Sequence, residues 1–302
     1  MYNASLTFIQ AQGSTIMQIE LWFNQHNFLG EGPIWHTQHH KLYWVDITRG
    51  QLHTYDPATQ THEKIYEDRT VGGYTIQPDG SLILFRDKGN VVQWANGKVV
   101  KTLIEEVAGE VDGRFNDVIA APCGRVFCGT MPTDNHPGSL YRLDLDGSLH
   151  QVVTDLGISN GLGFTPDNKQ MYHTDSTARQ IYRYDYDQTT GEIANKTVFA
   201  EIDKDLGVPD GMTVDSKGHV FSAIWGGYCV IEFDVDGKEV IRYKTTCARP
   251  SCAAWAGDDF KRMVITSFGG DGQAEFGENA GGMFTMECET PGRAEFNSRI
   301  DV

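Results

Sequence analysis

The chain has 302 residues, 40% of them hydrophobic and 22% charged, with a formal net charge of −16 at pH 7. That balance allows a sizeable core and excludes extended disorder. It also excludes nucleic acid and anionic membrane surfaces as partners, because their phosphates repel so acidic a protein.

The first 16 residues lack the basic start and apolar block of a secretory signal, and no apolar run reaches membrane-spanning length. They read as a flexible N-terminal extension, with Met17 as an alternative start, and residues 17–302 read as a single β domain. Next comes a strand-like stretch at 18–23. It is expected to supply the outer strand of the last structural repeat, closing a ring without an open edge. The six cysteines, Cys123, Cys128, Cys229, Cys247, Cys252 and Cys288, form no CxxC pair, and several lie in apolar runs. They read as free thiols of a cytoplasmic protein, not as a disulfide framework or a zinc–thiolate site.

From residue 31 onward the chain repeats itself. Gly32-Pro33-Ile34-Trp35 leads to strand-like runs at 41–46 and 51–56. The same cadence returns at 74–94, 116–144, 160–185, 210–234 and 251–285. The 33 glycines fall mostly singly, at turns between these runs, and connectors such as Pro78-Asp79-Gly80, Pro122-Cys123-Gly124 and Pro166-Asp167-Asn168 carry hairpin chemistry. Six copies spaced roughly 40–50 residues apart, each with about four short strands, are the signature of an all-β, six-bladed β-propeller.

In a propeller the first strand of each blade lines the central channel, so the heads of the six first strands converge at one mouth. The heads here are Glu31, Gly72, Asn116, Asn160, Asp210 and Ser251. Asn160-Gly161 and Asp210-Gly211, each taken alone, read as turns, and the neighbours Asp117, Gly161 and Gly211 keep the turns at Asn116, Asn160 and Asp210 tight. Glu31, between two glycines, has no turn role. The shared register of Glu31, Asn116, Asn160 and Asp210 favours oxygen ligands around one central divalent cation, because polar groups crowded at a channel mouth otherwise repel or stay unpaired. Such a donor set suits calcium, magnesium, manganese, iron(II) or zinc alike. His173 reads as a structural strand histidine, Asp175 and Ser176 as strand-end turn formers, and His36, His39 and His40 as an exposed turn cluster. Trp225 reads either as a pocket wall or as packing between blades.

With these stretches assembled, the chain resembles the senescence marker protein/regucalcin/gluconolactonase family of six-bladed propellers. The matching stretches are LGEGPIW (29–35), RFNDV (114–118), CGTM (128–131), GSLYRLD (138–144), SNGLGFTPDNKQMYHTDS (159–176), VPDGMTVDSKGHVFSAIWGG (208–227) and AGGMF (280–284). The resemblance implies that Glu31, Asn160 and Asp210 are direct metal ligands. It places Asn116 at the metal through water or substrate, and Arg114 on a substrate oxygen. It further implies a divalent-metal-dependent lactonase that hydrolyses an aldonolactone to the sugar acid, with Asp210 also serving as general base. The family's acidic residues after Gly-Thr-Met are replaced here by Pro132-Thr133-Asp134. A phosphotriester or other ester hydrolase at the same metal, and a non-enzymatic calcium-binding propeller, are the alternatives.

Overall fold

In a computed structural model that describes residues 19–301, twenty-four strands form six four-stranded antiparallel sheets. The proposed extension at 1–16 and the alternative start at Met17 lie outside the described residues. The innermost strands are Gly30–His36, Val71–Ile76, Phe115–Ala120, Ser159–Phe164, Val208–Val214 and Pro250–Ala256. Each touches the next, and the sixth returns to the first, so the blades form a closed ring. This is the six-bladed propeller expected from the repeats.

Burial grades outward across each blade. Val71–Ile76 and Ser159–Phe164 are buried along their whole length, whereas the outer strands Lys98–Ile104 and Glu239–Lys244 are almost wholly exposed. The inner strand is flanked by two neighbouring blades as well as by its own sheet. The apolar clusters lie between blades: Tyr43 and Val45 of blade 1 pack with Tyr74 and Leu84 of blade 2. Each such side chain removed from water contributes about 1.5–3 kcal/mol. The connectors within blades form the anticipated tight hairpins. In the one at Gly80, the residue has φ +83° and donates to the carbonyl of Gln77 at 2.9 Å.

The ring is closed by Glu20–Phe23, which pairs antiparallel with Met283–Glu287 as the fourth strand of blade 6. Phe23 stacks on Tyr55 of blade 1 with ring centroids 4.2 Å apart, so this strand also joins the two ends of the ring.

After Cys288 the chain forms no strand, but it crosses the face opposite the heads. Gly292 N donates to Phe260 O of blade 6, and Ser216 N of blade 5 donates to Pro291 O. The Arg293 guanidinium donates to Phe164 O and Asn168 Oδ1 of blade 4. Ser298 N donates to Ile76 O and Arg299 N to Gly124 O, tying in blades 2 and 3. This strap covers a cavity in the channel lined by Tyr74, Asp117, Cys252 and Glu295.

The heads themselves depart from the turn reading. All of them lie within the inner strands, and each inner strand shifts register at its head: at Glu31/Ile34, Val71/Gly73, Phe115/Val118, Asn160/Leu162, Pro209/Met212 and Pro250/Ala253. These are β-bulges, whose extra residue bends the strand and re-aims a side chain. The glycines that follow are required by close approach between blades. A Cβ on Gly161 would collide with the Asp210 carbonyl, and one on Gly211 would lie 2.5 Å from Cys252 Sγ.

Candidate functional site

The four polar heads are buried near the channel axis, none more than 9% exposed. Two of them, Asn116 and Asn160, sit in one hydrogen-bonded chain between Arg114 and Ser176. Arg114 Nη1 donates to Asn116 Oδ1 at 2.7 Å and to Phe115 O at 2.8 Å. Asn116 Nδ2 donates to Asn160 Oδ1 at 3.1 Å and to Ser159 O at 3.0 Å. Asn160 Nδ2 in turn donates to Ser176 Oγ at 3.1 Å. The chain runs from blade 3 to blade 4 and fixes which face each carboxamide shows. Both N–H groups of Asn116 are used, whereas Asn160 Oδ1 keeps a lone pair free of the amide that donates to it.

Glu31 and Asp210 complete the cluster as carboxylates. Burial pushes the Glu31 carboxyl well above the ordinary range, and repulsion from Asp210 and Asp117 adds to it. Asp210 is raised by burial and by Asp117, against a hydrogen bond from Asn160 and the attraction of Arg114. Burial also lowers Arg114 to about 10, opposed by Glu31 and Asp210. Arg114 faces Glu31 and Asp210, and Asp117 repels both carboxylates, so the three acids fully ionised carry two negative charges beyond that one guanidinium. A divalent cation would neutralise that deficit. Among the described residues no three His, Cys, Asp or Glu side chains gather as a ligand group. A cation would therefore be held by a mixed set, the carboxylates of Glu31 and Asp210 with the carboxamide oxygen of Asn160. The chemistry of the donors fits a hard or borderline ion.

Three residues near the cluster have roles that differ from the turn reading or were not singled out in it. Asp117 is not a turn former: it lies in the inner strand, takes a hydrogen bond from Val118 N, and lines the cavity below the heads. Burial, followed by Glu295, pushes its carboxyl up to about 7. Ser176 likewise does more than end a strand, since its hydroxyl holds Asn160 and donates to Pro209 O at 2.6 Å. Cys252 feels Glu31, Asp117 and Asp210; burial and those charges keep it a thiol. No local sequence pattern marks these three, because each depends on the meeting of two blades.

The histidines divide. His173 is fully buried against Ser159 Oγ at 2.8 Å, and burial lowers it to about 3, a structural role as expected. His36 corrects the exposed reading: it is buried and stacks on His39 with centroids 3.8 Å apart. At the rim, Asp134 is exposed. The acids there come from the preceding loop instead, with Glu110 buried on Thr130 and Tyr141, and Asp112 paired to His136 at 3.1 Å.

The fold and the cluster define a class: a six-bladed propeller whose channel mouth carries a buried, cation-deficient carboxylate–carboxamide site. Residues 29–269 match the SMP-30/Gluconolactonase/LRE-like region, and the chain belongs to that family. It is 46% identical to a pentonolactonase of Haloferax volcanii over 281 residues, covering 90% of this chain and 95% of the relative. It is 31% identical to a 6-deoxy-6-sulfogluconolactonase of Pseudomonas putida, covering 90% of this chain and 95% of that protein. Among solved structures, a calcium-binding regucalcin from Agrobacterium tumefaciens superposes with a TM-score of 0.84 at 24% identity, over 95% of this chain and all of the other.

Proposed function

We propose that this chain is a divalent-metal-dependent lactonase that opens an aldonolactone to its sugar acid. The observation that carries the reading is the charge deficit at the heads: Glu31, Asp117 and Asp210 buried against Arg114 alone, beside a carboxamide oxygen held in place by its neighbours. The lactonases among its relatives supply the reaction class. Glu31, Asn160 and Asp210 would hold the cation. When bound, it supplies a Lewis acid and a more acidic water.

The remaining chemistry belongs to the chain. Arg114 keeps N–H donors beyond those used on Asn116 and Phe115, and these bind the lactone oxygens. They lie where negative charge develops on the carbonyl oxygen, in a buried setting that strengthens them. Asn116, locked by three hydrogen bonds, orients the substrate. Asp210 accepts the proton of the attacking water at a carboxylate oxygen. The six free cysteines suit a cytoplasmic setting. Among the described residues no helix is long and apolar enough to cross a membrane.

The test is a pH-stat assay of metal-defined protein against a panel of aldonolactones and a phosphotriester, with spontaneous opening subtracted. Turnover of a lactone that is lost with chelator and restored by metal is expected. A protein that binds calcium but opens no lactone would overturn the proposal.

A further inference from the structure

Arg249 is a cation that the lactonase reading leaves unused, and its setting is unusual. It immediately precedes Pro250, which opens the inner strand of blade 6. Its guanidinium lies 4.3 Å from the ring centroid of Phe276, 5.1 Å from that of Phe268 and 5.2 Å from that of Trp225. The rings brace one another: Trp225 and Phe268 are 4.9 Å apart, Phe268 and Phe276 5.0 Å, and Phe28 meets Phe268 edge-on at 5.6 Å. Among the described residues the guanidinium has neither a carboxylate partner nor a hydrogen-bond acceptor. In a chain with 41 acidic residues, a half-buried arginine left unpaired is conspicuous. Ring faces cover a guanidinium well but accept few of its five N–H donors, so its edges remain free for a ligand.

The cage stands beside the candidate site. Trp225 pairs with Val208, two residues before Asp210. Phe268 bridges to Leu29, two residues before Glu31. Ser251, two residues after Arg249, donates to Gly30 O at 2.6 Å. In a ring of six, blade 6 lies opposite blade 3, which carries Arg114. The two arginines therefore stand on opposite sides of the carboxylate cluster. A compact lactone ring held by Arg114 would project its substituents toward the other wall. That wall offers apolar ring faces for C–H groups and a pre-oriented fork of donors for hydroxyls, the composition of a selective small-molecule pocket.

We infer that Arg249, held by Trp225, Phe268 and Phe276, binds the hydroxylated carbon chain of the lactone and sets the preference for sugar lactones over unsubstituted ones. The inference rests on the lactonase reading and deepens it. Arg249 is a positioning residue: it touches the part of the substrate that does not react.

Steady-state kinetics with a pentono-1,4-lactone and with γ-butyrolactone test it, using the metal-loaded wild type, Arg249→Met and Arg249→Lys. Arg249→Met should raise KM for the pentonolactone about tenfold with kcat held, while γ-butyrolactone changes less than twofold. Arg249→Lys should fall between, because it keeps the charge and a cation–π contact but loses the planar stacking and the fork. Equal losses on both lactones in variants whose thermal midpoints match the wild type, or no loss on either, would overturn the inference. If the wild type opens no lactone, the lactonase reading fails instead, and calorimetric binding of the open-chain aldonate then judges Arg249. Affinity about tenfold weaker in Arg249→Met supports it, and unchanged affinity rejects it.

Discussion

Ser176 Oγ accepts a hydrogen bond from Asn160 Nδ2 at 3.1 Å while donating its own proton to Pro209 O at 2.6 Å. One hydroxyl thus orients a head of blade 4 and anchors it to blade 5, next to Asp210. With its amide nitrogen shared between Ser176 and Asp210, Asn160 turns its oxygen toward Asn116. Ser176→Ala should leave the fold intact and release that carboxamide. Groups that orient ligands typically contribute 10–100-fold to metal affinity, so a loss of about that size is expected by calorimetric titration of calcium or zinc. An unchanged dissociation constant would remove Ser176 from the site.

Glu31 and Asp210 repel each other in a buried setting, so the site trades stability for affinity. Glu31→Gln should abolish lactone hydrolysis and weaken metal binding by more than about 100-fold. In the metal-free state near neutral pH the same variant should be more stable than the wild type by about 1–3 kcal/mol, because folding no longer has to hold a proton on a buried carboxyl that the unfolded chain ionises. Paired urea melts with and without metal read both effects. Retention of metal and activity in Glu31→Gln and Asp210→Ala would refute the assigned ligands.

The period of the blades was legible because six copies of one hairpin rhythm repeat it, and the heads followed from the register of Glu31, Asn116, Asn160 and Asp210. Their local structure was not legible. Asn-Gly and Asp-Gly serve turns and bulges equally, and only pairing with the second strand of the blade separates the two. Asp117, Ser176 and Cys252 gain their roles from contacts between blades, 33 residues apart in the case of Ser176 and Pro209. The segment after Cys288 carries no repeat and no strand alternation, so nothing in its pattern announces a strap.

Asp117 gives the site a pH signature. Its carboxyl is raised from 3.8 to about 7, chiefly by burial, so the folded metal-free protein holds a proton that the unfolded chain releases. Its contribution to stability is complete below 3.8 and is lost as pH rises through about 7. Asp117→Asn cannot lose that proton. The variant should match the wild type near pH 4 and exceed it near pH 8 by at least about 1 kcal/mol, measured metal-free by urea unfolding. A difference that is constant across this window, or that grows toward acid, would contradict the burial argument.

The strap is the last element to close the molecule. Between Gly292 and Arg299 it bonds to blades 2, 3, 4 and 6, and through Pro291 to blade 5, while Thr75 Oγ1 donates to Ser298 Oγ at 2.7 Å. Gln77 and Ile300 exchange a further pair, Nε2 to O at 2.8 Å and N to Oε1 at 3.1 Å. Each such bond is worth about 0.5–1.5 kcal/mol net, and losing the strap also leaves Tyr74 and Trp255 facing water. A chain ending at Cys288 should therefore lose about 3–5 kcal/mol in urea unfolding while keeping its far-ultraviolet spectrum, since the strap contributes no strand. The heads lie at the other end of the channel, so metal affinity measured well below the melting point should change less than threefold. If stability held and affinity collapsed instead, the segment would be part of the site and not a clasp across the blades.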